Sequence, residues 1–254
     1  MKNVLKGLYM SMGMFCTIPM PGYWDEKGAK HMMLWFPVVG AVIGLFWYAS
    51  ALLLAYLGAW APLPLLSAVL MIMPFLFSGL IHLDGFMDTS DAILSRRSVD
   101  DKLRILKDPN TGAFAVIMAI MLFIMLFAAS YSILQRGVSL ILIFIIPIIS
   151  RSCSAAAMLC IRPMSEQGYV RLFKPEPVGA HRCAVFSLFT LALAAAFLLA
   201  GISGIIVSVA VIFGFSAAML IACSSFAFKG VSGDLAGFSL VIAELCRLMA
   251  LAVF

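Results

Sequence analysis

His82-Leu-Asp-Gly-Phe-Met-Asp-Thr-Ser-Asp91 is a polar break between two apolar runs, Pro62 to Leu83 and Gly112 to Leu134. Read as a helix, it sets Asp84, Asp88 and Asp91 at i, i+4 and i+7, within a stripe about 60° wide at roughly 100° per residue. The three carboxylates then share one face. Like charges one turn apart repel, and each raises the pKa of the next, so the face requires a cation. Oxygen donors alone suit a hard ion, Mg²⁺ or alternatively Mn²⁺, and Mg²⁺ normally arrives with substrate phosphates.

Outward from this stretch, apolar runs of spanning length recur at Met32 to Trp60, Pro62 to Leu83, Gly112 to Leu134, Val138 to Ile161, Cys183 to Ala200, Ile202 to Cys223 and Leu235 to Phe254. Charged residues are only 11% of the 254, against 64% hydrophobic, and the mean hydropathy is +1.10. No soluble domain has that balance. The expected fold is all-α: a polytopic membrane helical bundle of about seven transmembrane helices, with 1–254 as one domain.

Between these runs the basic residues Lys2, Lys6, Lys27, Lys30, Arg96, Arg97, Lys102, Arg104, Lys107, Arg162, Arg171, Lys174, Arg182 and Lys229 all fall on one side, and only Arg136 falls on the other. By the positive-inside rule the charged side is cytoplasmic, with the N-terminus inside and the C-terminus outside. The pI of about 9.0 is thus a sign of topology, with attraction for anionic lipid or phosphorylated substrate. No basic patch is interleaved with aromatics, so nucleic acid is not an expected partner. The six cysteines contain no C-x-x-C pair and read as packing. His31, His82 and His181 are scattered, which argues against a histidine metal cluster.

Residues 1–22 read as an interfacial amphipathic helix, with Val4, Leu5, Leu8, Tyr9, Met12, Phe15 and Cys16 on one face and Lys2, Lys6 and Gly13 opposite. Thr17-Ile-Pro-Met-Pro-Gly22 ends it. Gly40 and Gly44 permit a close helix crossing in the first span. Residues 84–111 form an Asp-rich cytoplasmic hairpin. Within it Ser98 is the expected N-cap of a short helix carrying Asp100 and Asp101 in its first turn, and Pro109 stops that helix by Asp108. Asp108 then lies on a turn that allows it to join Asp84 on one ion.

Arg151, deep in the fourth span, is expected either to bind phosphate or to pair with Glu244 or Arg247. The 162–182 loop offers a basic rim of Arg162, Arg171, Lys174, His181 and Arg182 against Glu166 and Glu176. Lys229-Gly-Val-Ser-Gly-Asp234 either presents backbone N–H groups to an anion or places Asp234 as a helix N-cap.

His82-Leu-Asp-Gly-x-x-Asp-Thr-x-Asp91, Lys107-Asp108 with Gly112-x-Phe114, and Gly233-Asp234-x-x-Gly237 with Glu244 together resemble the cobalamin synthase family, the adenosylcobinamide-GDP ribazoletransferases. Thr17-Ile-Pro-x-Pro21, Phe36-Pro-x-x-Gly40 and Ser150-Arg151 are similar to that family's other signatures. Ala92, Ala115 and Lys229 stand where its pattern has glycine.

The resemblance implies an enzyme of the cytoplasmic (inner) membrane of a prokaryote, with its active site facing the cytoplasm. It would transfer the adenosylcobinamide phosphate group of adenosylcobinamide-GDP to α-ribazole or its 5′-phosphate, releasing GMP. It further implies Asp84, Asp88, Asp91 and Asp108 as catalytic and metal-holding residues, and His82, Lys107, Arg151, Gly233 and Asp234 as substrate-binding ones. The family is itself similar to CDP-alcohol phosphotransferases. Alternative readings are an intramembrane prenyltransferase, which usually needs a second Asp-rich motif, and a small-solute transporter, which would place ionisable groups at mid-membrane and repeat internally.

Overall fold

The computed structural model describes residues 2–20, 22, 24–58, 60–165, 169–174, 178–226 and 229–253. Pro21, Glu166 and Glu176 lie outside them. The described residues form helices α1 (Lys2–Phe15), α2 (Glu26–Ala29), α3 (Met32–Leu57), α4 (Leu63–Ser78), α5 (Ile81–Leu94), α6 (Val99–Ile105), α7 (Ala113–Arg136), α8 (Ile141–Cys160), α9 (Tyr169–Leu172), α10 (Gly179–Ser225) and α11 (Gly233–Val253). Among them the only β-type contact is an isolated bridge between Pro163 and Val231.

Five helices, α3, α7, α8, α10 and α11, are long and apolar enough to cross a membrane, and α4 with α5 makes a sixth candidate if that bent pair is one span. α10 is 47 residues long, more than twice what about 30 Å of hydrocarbon needs. Gly201 breaks it with φ 56° and ψ −132°. A Cβ on Gly204 would run into the backbone of Ala196, a contact that a straight helix forbids. The chain therefore reverses at Gly201 into two limbs, 179–200 and 202–225. This accounts for the fifth and sixth expected runs.

The second expected run is corrected. Instead of continuing to Leu83, α4 stops at Ser78, and α5 leaves it at 97°. Gly79 makes the corner with φ 65° and ψ 160°, a region essentially closed to side chains. A helix end leaves unsatisfied carbonyls. Here Thr17 meets them, its N–H donating to Phe77 O at 2.9 Å and its hydroxyl to Leu76 O at 2.8 Å.

Within the bundle α8 and α11 are the most enclosed spans, with 72% and 67% of their apolar windows buried, while α7, at 28%, is peripheral. Ile117, Ile120, Met121 and Ile124 stand exposed on α7, as a lipid-facing surface requires. Lipid supplies no hydrophobic drive between helices, so close packing holds them together. The glycines of α3 provide it. A Cβ on Gly40 or Gly44 would meet the backbone of Pro147 or Phe144 on α8.

Inside this packing sits a charged cluster. Arg151 Nη1 donates to Glu244 Oε1 at 2.7 Å, and Arg247 lies 4.2 Å from the centroid of the Trp47 ring. Trp47, fully buried among these helices, is therefore a cation partner as well as a packing residue.

The basic loops meet at one end of the bundle. Arg182 donates to Leu159 O at 2.9 Å and Lys174 to Ile161 O, so two members of the expected basic rim instead cap α8, where cations suit the helix dipole. His31 and His181, distant in sequence, meet with Nδ1 and Nε2 2.7 Å apart. At the opposite end Arg136 donates to Val253 O at 2.7 Å, closing α11. α1 docks through Gly7, Met10, Ser11 and Phe15, a face that shares Phe15 with the expected apolar one but is rotated away from Leu5. Leu5, on that other face, remains 58% exposed.

Candidate functional site

The acidic stretch is helical. In α5 the residues His82, Leu83, Gly85, Phe86, Thr89 and Ser90 are buried, whereas Asp84 is exposed and Asp88 and Asp91 are half-buried. The three carboxylates thus line the outward face, as their spacing predicts. The inward face fits because it is small. A Cβ on Gly85 would come within 2.9 Å of the Asp234 Cα, and one on Gly237 within 3.3 Å of His82 O. α5 therefore presses directly onto the start of α11.

That crossing changes the membership of the acidic cluster. Asp88 is pushed up to about 6, first by desolvation and then by the charges of Asp84, Asp234 and Asp91. Asp234 thus joins the three α5 carboxylates. Asp108 does not show that coupling. It is exposed on its turn, its Oδ1 accepts from Asn110 N at 2.9 Å and from Asn110 Nδ2 at 2.8 Å, and those bonds hold its pKa below the usual range. The hairpin places Gly112, rather than Asp108, against the cluster, because any Cβ there would collide with the Asp91 carboxylate. Among the described residues no three His, Cys, Asp or Glu side chains converge into a metal shell.

Beside the acidic face lies a cavity of about 360 Å³. His82, Lys107, Gly233 and Asp234 all line it, together with Ser232 and Ser165. Each comes from a different local cause. His82 is on the first turn of α5, just past the Gly79 corner. Lys107 follows α6, whose start is the expected one: Ser98 accepts from Asp101 N at 3.3 Å. α6 is held over the cavity by Lys102 donating to Ser225 O and Lys229 to Asp100, each at 3.3 Å.

Gly233 and Asp234 open α11. The capping residue there is Ser232, which accepts from Leu235 N at 3.2 Å, in place of the expected Asp234. Gly230, at φ 124°, makes the approach. Val231 then pairs with the 162–164 segment through Val231 N to Arg162 O and Met164 N to Val231 O, both 2.9 Å.

Arg151 does not line this cavity. It is 1% exposed and committed to Glu244. The rest of the cavity wall is mostly apolar and comes from α1, α3, α6, α8, α9 and α11. Phe36 carried a sequence signal as part of the Phe36-Pro-x-x-Gly40 signature, which named no role for its side chain.

Fold and cavity define a polytopic membrane protein with a chamber at its charged end and one carboxylate of the acidic cluster, Asp234, in its lining. A sequence profile described as cobalamin-5-phosphate synthase matches residues 7–252. The adenosylcobinamide-GDP ribazoletransferase of Clostridium botulinum strain Alaska E43 is 40% identical over 257 residues, covering 100% of both chains. That of strain Eklund 17B is 41% identical over 255 residues, and that of Clostridium perfringens strain SM101 is 33% identical over 254, again with 100% of both chains covered in each case. The chain belongs to the cobalamin-5-phosphate synthase family, whose named relatives are transferases. No solved structure matches it.

Proposed function

We propose that the protein transfers the adenosylcobinamide phosphate group of adenosylcobinamide-GDP to a hydroxyl of α-ribazole, or of its 5′-phosphate, with GMP as the leaving group. The supporting observation is that His82, Lys107, Gly233 and Asp234 share one cavity while Asp84, Asp88 and Asp91 face outward beside it. Opening a pyrophosphate needs an aligned nucleophile and neutralised phosphoryl oxygens. The basic loops favour a site that faces the cytoplasm from the inner membrane.

The donor set fits Mg²⁺, with Mn²⁺ as the alternative: carboxylate oxygens only, at a place where desolvation and then the neighbouring carboxylates raise the Asp88 pKa. With no closed protein shell among the described residues, the remaining ligands would be water and substrate phosphate, the usual arrangement for Mg²⁺. Asp84 and Asp88 would hold the ion, with Asp91 and Asp234 as the carboxylates beside it. When bound, it supplies charge neutralisation at the phosphoryl oxygens. Lys107 contacts phosphate at the cavity rim. Asp91 takes the acceptor's proton in preference to Asp108, which is turned into its own loop by Asn110.

The test is GMP release by purified protein from the GDP-activated corrinoid and α-ribazole, with and without Mg²⁺. Asp88→Asn should lower turnover by at least about a hundredfold, as loss of a charge-stabilising group does, while membrane insertion stays intact. Near-normal turnover in that variant would remove Asp88 from the mechanism.

A further inference from the structure

The chamber has two unlike halves. Its rim is polar, but the wall supplied by α1, α3 and α8 is built from Phe15, Met33, Phe36 and Met158, with Phe173 from the loop after α9. Phe15 and Phe36 are 4.6 Å apart, centroid to centroid, and each lies 5.9 Å from the His82 ring, Phe15 nearly parallel to it. His82 is 8% exposed, yet its Nε2 has no hydrogen-bond partner among the described residues. A buried polar atom without a partner is costly, and the His82 side chain that carries this one lines the chamber.

Accepting the transferase reading above, we infer that this apolar half is the seat of the acceptor's aromatic base, with His82 and Ser154 as the polar groups in its wall, and that the corrinoid remains outside the chamber. Size supports this assignment. An aromatic nucleoside needs on the order of 300 Å³, at the small end of ligand pockets, whereas a corrinoid bearing an activated nucleotide is several-fold larger than the 360 Å³ present.

Chemistry separates the base from the guanine of the other substrate. Guanine carries several donors and acceptors on one edge, and a wall of phenylalanine and methionine with only His82 and Ser154 among them would leave most unpaired. The benzimidazole ring of ribazole offers one free ring nitrogen, which the Nε2–H of a neutral His82 would meet, and its remaining edges are hydrocarbon. Met33 and Met158 provide adaptable thioether contacts to such a ring.

The test measures KM for both substrates by GMP release, and α-ribazole binding alone by titration calorimetry. Met158→Gln keeps the side-chain length but adds an amide. It should raise both KM and Kd for α-ribazole by about tenfold or more, the equivalent of one lost apolar contact, with KM for the corrinoid unchanged. Phe173→Leu should act in the same direction, and it provides a second variant if the first fails to fold. Both variants raising KM for the corrinoid instead, or neither affecting α-ribazole, would overturn the assignment. Wild-type protein that releases no GMP at all would instead overturn the transferase reading beneath it.

Discussion

Asp88 carries the sharpest electrostatic consequence of the cluster. Its folded pKa is about 6, above the ordinary carboxylate value, so the folded state holds a proton that the unfolded chain releases near pH 4. Its contribution to stability is therefore complete below about pH 4 and is lost as the pH rises through about 6. Detergent-solubilised protein without divalent ion should lose part of its melting temperature between these values, and Asp88→Asn should abolish that part. At neutral pH, Mg²⁺ should raise the melting temperature of the wild type, because a cation relieves the repulsion, but do so much less in Asp88→Asn. An equal Mg²⁺ shift in both proteins would place the ion elsewhere.

At the scale of the element, α5 matters because of where the chain turns. Gly79 occupies a backbone region that alanine enters only with strain, about 1–3 kcal/mol. Gly79→Ala should therefore either unfold the corner or straighten it, swinging Asp84 and His82 away from α11. The expected readout is loss of GMP release with retained membrane insertion, and increased cleavage by protease near residue 79. Unchanged turnover would mean that the bend is incidental.

This corner also marks the boundary of what the residues alone disclose. The helicity of α5, its acidic face and the Ser98 cap of α6 depend on neighbours within a few positions, and periodicity reveals them. The bend depends on Thr17, 59 residues before Leu76, and no local pattern reports that bond. Asp234 joins the acids, where Asp108 was expected to, for a similar reason: Gly85 and Gly237 let α11 approach α5, and a glycine in a sequence does not name its neighbour. The meeting of His31 with His181 is equally non-local.

For the whole molecule, the enclosed spans α8 and α11 are joined by ions rather than by grease alone. Arg151, Glu244 and Arg247 carry a net charge of +1 inside the bundle, and the three guanidinium nitrogens of Arg247 lack hydrogen-bond partners among the described residues, leaving Trp47 and Glu244 to stabilise it. Removing one partner of a buried pair strands the other, at about 3–5 kcal/mol. Glu244→Leu should cost that much in denaturant or thermal unfolding in micelles. Arg151→Met combined with Glu244→Leu should cost clearly less than the single Glu244 change, because no stranded Arg151 charge remains. The same double variant discriminates between two roles for Arg151. If the pair only fastens α8 to α11, folded double variant retains its KM for both substrates and most of its turnover. If Arg151 reaches a phosphate during the reaction, the double variant folds but loses turnover by a hundredfold or so, and Arg151→Lys restores part of it.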